Sequence, residues 1–403
     1  MNINNIKTLN SIIIKEKDNT CRNISYCILN DVLLTGRNLY YPNVLLYNNL
    51  LYSPYDEKIM SLNKDCFYDN NIFDFVIEPK NTTILYPVYF FIYNFDNYYH
   101  FLYDTLPYIY HFLHLKKIHN NLKLLVNYPN KNMNTLYKFN EEFLYKFIDK
   151  NDIIIHDNNN IYKTIYIGNS LTHGGYSNNP PRPEVYEIMN ILIKNTKIPN
   201  NIKKINNIYI SRRTWINKDI TNIGTNYTTR RKMMNEDELV EKLKERNFVE
   251  IFAENLSTDE KIYLFNNAEI IVGSIGGGMA NLLFSKKTTK TIIILTPFFL
   301  DINYRFKYSL ENTNYTYFND VELYGNKKRI PLFCRVQVNN KIGEIVEYLD
   351  EKYIINLSNN DVAGFNNTHN FEKGIFKESE LKLLDNGLNS PYVININKLI
   401  DSL

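Results

Sequence analysis

The chain has 403 residues but only four cysteines and one tryptophan. Cys21, Cys27, Cys66 and Cys334 are scattered with no metal-ligand spacing, so ordinary reduced thiols are expected. No segment approaches the ~18 apolar residues that a membrane helix requires. The longest candidate, residues 84–93, is short, rich in tyrosine and interrupted by Pro87. The opening Met1-Asn-Ile-Asn-Asn-Ile-Lys7 lacks a basic region followed by an apolar one. A signal peptide is therefore not expected, and a cytoplasmic location is. Charge of one sign is missing too: the net charge is +3, which gives no nucleic-acid footprint. No internal repeat is visible, and low complexity does not go beyond short asparagine runs. Tyrosine is abundant, at 33 residues, alongside plentiful Asn, Ile and Lys. Such a bias is that of an A/T-rich coding sequence and points to no particular site.

The most informative segment that is present is Glu269-Ile-Ile-Val-Gly-Ser-Ile-Gly-Gly-Gly-Met-Ala-Asn-Leu-Leu-Phe284. An apolar strand runs into Gly276, Gly277 and Gly278, and a helical pattern follows. Glycines at such a turn let the backbone approach a ligand, and the free N–H groups of the next helix attract an anion. Two familiar phosphate turns are excluded by spacing. A Walker A loop needs Lys and Ser/Thr after its last glycine, where this chain has Met279 and Ala280. A dinucleotide fingerprint reads G-x-G-x-x-G, and this turn reads G-x-x-G-G-G. A tight glycine-packed turn with no ligand is the alternative.

Upstream, Ile208-Tyr-Ile-Ser-Arg-Arg213 is a strand pattern ending in two guanidinium groups, the side chains best suited to phosphate. The basic run Arg230-Arg-Lys232 leads into Asn235-Glu-Asp-Glu238, which resembles a capping box with Asn235 as N-cap, and residues 238–246 form an amphipathic helix pattern. Ser257-Thr-Asp-Glu260 opens another helix, and Thr291-Ile-Ile-Ile-Leu-Thr296 is a buried-type strand. This alternation predicts a parallel sheet with helices on its faces, with ligands outside the carboxyl ends of the strands. Ser211, Arg212 and Arg213 would then share an edge with Gly273 to Gly278.

In the first half, short β-like runs occur at 12–14, 32–34, 44–51 and 73–77, and a helical pattern covers 98–115. Residues 122–126 and 153–156 look like buried strands with a helix at 137–148 between them, which predicts a second Rossmann-like domain. Asn178-Asn-Pro-Pro-Arg-Pro183 is the linker candidate. The expected organisation is therefore a first domain over 1–183, a second over 184–330, and a tail over 331–403. His100 and Asp104 stand four residues apart, within reach on one helix face. A carboxylate beside an imidazole raises its basicity and fixes its tautomer, as a general base requires. A pair that only braces the fold is the alternative. His111, His114 and His119 lie nearby, but a zinc site needs further ligands.

Taken in order, these blocks resemble glycosyltransferase family 61. They are Asn97-Tyr-Tyr-His-Phe-Leu-Tyr-Asp-Thr-Leu-Pro107, Ser170-Leu-Thr-His-Gly-Gly175, the Ile-Ser-Arg-Arg strand end, the basic run into Asn-Glu-x-Glu, and the glycine turn through Asn281-Leu-Leu-Phe284. Together they span about residues 94–305. The family includes the EGF-domain O-GlcNAc transferase, plant xylan-decorating transferases and bacterial capsular polysaccharide proteins. The resemblance implies an α/β fold of GT-B type, with two Rossmann-like domains facing a central cleft and, as in such folds, a last helix of the tail that packs back on the first domain. It implies an inverting transfer from a nucleotide-sugar donor, a UDP-sugar first among them, to a glycan or other hydroxyl acceptor. It also implies that His100 and Asp104 are catalytic and that Ser211, Arg212, Arg213, Arg231, Asn235, Ser274, Gly276, Gly277, Gly278 and Asn281 hold the donor. No Asp-x-Asp occurs, so the divalent cation of GT-A enzymes is not expected. The leaving diphosphate would instead be met by arginines and a helix N-terminus, with no metal or other cofactor. The missing signal peptide and the bacterial relatives favour surface or capsular glycan assembly. The chain departs from the family at one place, where many members carry His in the turn and this one has Ile275. A degenerate member that binds a sugar nucleotide or glycan without transfer is the second reading. A sugar-nucleotide epimerase on a similar frame is the third, and the missing G-x-G-x-x-G counts against its NAD.

Overall fold

In the computed structural model the described residues are 26–33, 45–47, 50–53, 58–60, 82–91, 97–128, 134–157, 160–168, 171–172, 181–198, 203–213, 231–298, 310, 313–324, 329–330, 332, 334–358, 372–384 and 390–403. The expected strands at 12–14 and 73–77, the His-Gly-Gly stretch at 173–175 and Arg230 lie outside them. The chain forms two compact units, Met1–Thr196 and Lys197–Leu403.

The first unit begins with β1 (Tyr26–Leu33) and a small antiparallel sheet of β2 (Leu45–Tyr47), β3 (Leu50–Ser53) and β4 (Lys58–Met60). Its main sheet continues with β5 (Thr82–Ile84), β6 (Val88–Phe90), β7 (Lys123–Val126), β8 (Ile153–Ile155) and β9 (Asn160–Gly168). The order is β1-β9-β6-β7-β8, with β6, β7, β8 and β9 in parallel pairs and β1 antiparallel on β9. Of the two apolar runs that suggested buried strands, Leu124, Leu125 and Val126 have no exposed surface, whereas Ile153, Ile154 and Ile155 of β8 are only partly buried; Val88 and Tyr89 of β6 are wholly buried. Helical residues run from α1 (Tyr98–His100) through a π-turn at Phe101–Thr105 and a 3₁₀ turn at Leu106–Tyr108 into α2 (Ile109–Lys116). Pro107 explains the irregularity, because it has no N–H to give the preceding turn and its ring crowds the carbonyl four residues back. Two more helices follow, α3 (Lys138–Leu144) and α4 (Pro183–Lys194); Pro183 at the first helical position starts the latter without losing a bond.

The second unit is built on β10 (Asn207–Ile210), α5 (Glu236–Lys244), β11 (Val249–Ile251), α6 (Thr258–Asn267), β12 (Ile270–Ser274), β13 (Lys290–Ile294) and β14 (Asn314–Phe318). All its strand pairs are parallel, in the order β11-β10-β12-β13-β14. Tyr209, Val272, Ile292 and Ile294 form one face of this sheet and pack with Leu239, Val240 and Leu243 of α5. The helix start expected at Ser257 takes the form of a capping box, with Ser257 Oγ accepting from Glu260 N and Glu260 accepting in return from Ser257 N. The capping box expected at Asn235 does not form: Asn235 is the N-cap, but its side chain makes no cap bond.

Beyond the parallel sheet come β15 (Val321–Leu323), β16 (Arg335–Val338), β17 (Lys341–Leu349), β18 (Lys352–Ser358), β19 (Glu372–Lys377), β20 (Lys382–Leu383), β21 (Tyr392–Ile394) and α7 (Ile396–Asp401). Five of these strands make an antiparallel sheet, β19-β18-β17-β16-β20, around Val336, Ile345, Tyr353 and Ile355. The final helix departs from the sequence expectation that it returns to the first domain. Ile396 and Leu399 of α7 are buried in the second unit's core against α5 and its sheet. Among the described residues, no helix is long and apolar enough to cross a membrane.

Candidate active site

Two constellations carry chemistry, one in each unit. In the first unit, His100 Nδ1 lies 2.6 Å from Asp104 Oδ2. The Asp104 side chain is wholly buried, whereas His100 is 38% exposed. Asn97 fixes the start of this turn, its side chain accepting from His100 N at 3.2 Å. Leu106 N–H then bonds the carbonyl of Phe101, closing the wide π-turn that carries Asp104 inward. Such turns recur at functional sites because they re-aim a side chain within a helix. An ionised carboxylate can only accept, so Nδ1 is the ring nitrogen that donates to Asp104. The buried carboxylate thus fixes the orientation of a half-exposed imidazole.

The three histidines that follow His100 in sequence go separate ways. His111 is buried beside Tyr89, His114 stacks on Tyr110, and His119 Nε2 bonds Tyr166 Oη at 2.9 Å. Among the described residues no three His, Cys, Asp or Glu side chains gather as a metal centre would need. Glu184 is occupied by Arg182, which donates to both of its oxygens at 2.8 and 2.9 Å.

In the second unit the strand order itself defines a crevice. From β10 the chain crosses to β11 on one side; β11 returns to β12 on the other, and the sheet continues to β13. Loops leaving β10 and β12 therefore diverge, opening a gap at their carboxyl ends where α/β sheets hold ligands. β10 and β12 are direct neighbours, with Ile210 opposite Gly273, so Ser211 and Arg212 emerge beside Ser274 and the glycine turn. A 3₁₀ helix, Gly277–Phe284, starts from that turn in place of the expected α-helix. Arg212 reaches across the gap: its Nη1 donates to the carbonyl of Ile275 at 3.4 Å and lies where a Cβ on Gly276 would be. Gly276 is thus the space the guanidinium needs. A Cβ on Gly278 would stand 2.8 Å from Ile210 Cγ2, whereas one on Gly277 would meet no atom within 4 Å. The Gly277 face of the turn is open.

The remaining sequence candidates have more particular roles. Arg213 is committed to acidic partners: Nε and Nη2 hold Glu250 at 2.9 and 2.6 Å, and Nη1 binds Asp237. Burial works against its charge, but Glu250 and Asp237 raise its pKa well above the usual value. Asn235 clamps strand β21, its amide donating to Ile394 O at 2.8 Å and accepting from Ile394 N at 3.1 Å. Asn281 is fully buried and donates back to Gly278 O at 2.9 Å, tying the turn to its own helix. Arg231 holds a left-handed backbone, φ 58°. Ile275, at the place of the family histidine, is buried, and its N–H bonds Ile294 O at 3.0 Å.

Two residues that sequence reasoning passed over complete the site. Glu236 Oε1 accepts from Tyr209 Oη at 2.8 Å, Ser211 Oγ at 3.2 Å and Arg212 N at 2.8 Å. Burial raises its pKa, opposed by those donors and the Arg212 charge. The Asn-Glu-x-Glu run contains the signal, but capping rules give a role only to its first and last members. Tyr392, from the far end of the chain, donates to Ser274 Oγ at 2.8 Å; burial pushes its phenol up to about 12, so it stays a neutral donor. Nothing in the sequence linked positions 274 and 392.

A His–Asp pair in one unit and a glycine–arginine crevice at strand ends in the other are residue combinations that group-transfer chemistry uses. Residues 98–292 match the family described as Glycosyltransferase 61. The protein is a glycosyltransferase, and this central stretch belongs to family 61. No curated protein matches the chain.

Proposed function

We propose that this glycosyltransferase transfers a sugar from a nucleotide-sugar donor, a UDP-sugar first among them, to a hydroxyl of a glycan acceptor, without a metal and with inversion. In this reading the two units form a GT-B arrangement, the first binding acceptor and the second donor. The setting is cytoplasmic assembly of a surface or capsular polysaccharide. The observation that carries the reading is the His100–Asp104 pair, in which a buried carboxylate orients a half-exposed imidazole. The acceptor O–H gives its proton to His100 Nε2 as its oxygen attacks the anomeric carbon. The bond from that carbon to the donor phosphate oxygen breaks, and its electron pair leaves with the nucleoside diphosphate. Asp104 stabilises the imidazolium that forms. Arg212 and the turn N–H groups meet the charge growing on the diphosphate.

The test is a transfer assay over UDP-, GDP- and TDP-sugars with wild type and His100→Ala. Turnover with one donor, lost in the variant while nucleotide affinity persists, supports the reading. Nucleotide binding with no turnover for any donor would favour the non-transferring alternative that the buried Ile275 raises.

A further inference from the structure

The segment beyond residue 292 lies outside the family-matched stretch, yet it is bonded to both sides of the donor crevice. On one side, the main chain of β21 runs beside residues 232–235: Tyr392 N donates to Lys232 O at 2.9 Å, and Met234 N donates to Tyr392 O at 2.8 Å. Asn235 brackets Ile394 from the next residues, and the helix that begins immediately after it carries Glu236, which holds Ser211 and Arg212. On the other side, the Tyr392 hydroxyl donates to Ser274, the last residue of β12 before the glycine turn. The Tyr392 ring has no exposed surface and packs among Tyr209, Val272 and Leu399 in the same core. Lys232 is anchored to the antiparallel sheet through Glu344 at 2.9 Å, both side chains being buried.

We propose that Tyr392 is a positioning residue of the donor site, setting the distance between the glycine turn and the Glu236–Arg212 side of the crevice. This rests on the donor-site reading above. Its physical basis is that a buried hydroxyl between two elements fixes their separation more sharply than apolar packing, which tolerates small shifts. The core holds Tyr392 by its ring, and its hydroxyl donates to Ser274. The Tyr392–Ile394 strand is therefore an integral part of the donor-binding apparatus.

The experiment compares Tyr392→Phe, Ser274→Ala, the double variant and Leu399→Ala, with UDP, GDP and TDP titrated separately by calorimetry on the full chain. Tyr392→Phe keeps the ring and removes only the hydroxyl. Nucleotide affinity is expected to fall ~3–10-fold, the worth of one buried hydrogen bond, with kcat at saturating donor little changed. The double variant should be no weaker than the poorer single variant, because both remove the same bond. Leu399→Ala loosens the same core with no polar contact to the turn; its melting temperature should fall while affinity holds. Gly277→Ala separates the two layers of the argument. If it weakens nucleotide binding and Tyr392→Phe does not, the positioning role is overturned and the donor site stands. If neither changes affinity, the donor site is misplaced and the positioning role falls with it. Equal losses in Leu399→Ala and Tyr392→Phe would mark Tyr392 as ordinary core. Should Leu399→Ala not fold, additive losses in the double variant would overturn the proposal on their own.

Discussion

Replacing Gly277 by alanine should move stability and donor binding in opposite directions. The residue opens the 3₁₀ helix Gly277–Phe284, and an added Cβ would meet no protein atom within 4 Å. Its backbone is outside the left-handed region, so alanine fits without strain. Removing glycine from such a position stabilises by ~0.4–1 kcal/mol, chiefly by restricting the unfolded chain. The melting temperature should therefore hold or rise slightly. A diphosphate cradled on the turn N–H groups would, by contrast, be pushed away by the methyl. Loss of one charge-assisted contact is worth ~1.5–3 kcal/mol, or roughly a 10- to 150-fold weaker donor. The neighbouring glycines supply internal contrasts. At Gly276 an alanine would displace the Arg212 guanidinium, and at Gly278 it would crowd Ile210. The first should weaken donor binding through the arginine, and the second should lower stability. Thermal melts and calorimetric titration of UDP on the three variants decide the matter. A Gly277→Ala protein that melts higher and binds nucleotide as well as wild type would refute the reasoning, because the open face would then hold nothing.

His100→Ala should reduce transfer ~10²–10⁴-fold in a steady-state assay while UDP affinity holds, and Asp104→Asn should approach that loss if the carboxylate fixes the tautomer. Arg212→Ala should weaken UDP binding on the order of tenfold or more. Arg213→Ala, whose guanidinium is engaged by Glu250 and Asp237, should instead cost mainly stability, on the order of 1 kcal/mol by urea unfolding. Glu236 has its folded pKa raised above the ordinary 4.5 by burial. Its contribution is thus fully present below that ordinary value and lost as pH rises through the folded one, so Glu236→Gln should flatten that part of a stability–pH profile.

Local chemistry made much of this fold legible. Leu124, Leu125 and Val126, and Ile292, Ile293 and Ile294, are continuous apolar runs, and only a strand covered on both faces tolerates them. Ser257 and Glu260 wrote a helix start that the backbone follows. Asn235 and Glu238 wrote the same signal, and tertiary structure overrode it, because the Asn235 amide found a better use on the edge of β21. Residues 98–115 carry a helical pattern, but the wide turn that drives Asp104 into the interior depends on Pro107 breaking the regular ladder. Periodicity alone gave the approximate face shared by His100 and Asp104, not the burial that makes the carboxylate an effective partner.

The crevice of the second unit shows where reading by motif stops. Arg212 and Arg213 are identical residues at adjacent positions, and any phosphate-based argument treats them alike. Their fates differ because β10 is flanked by β12 on one side and β11 on the other. Arg212 reaches the glycine turn after β12, whereas Arg213 meets Glu250 on β11. Which strand lies on which side is a property of the crossover order, and crossover order is not encoded in any short segment. The same holds for Tyr392 and Ser274, 118 positions apart and joined by one hydrogen bond. A motif names the residue types that can bind an anion. The topology assigns one arginine to the crevice and the other to an ion pair.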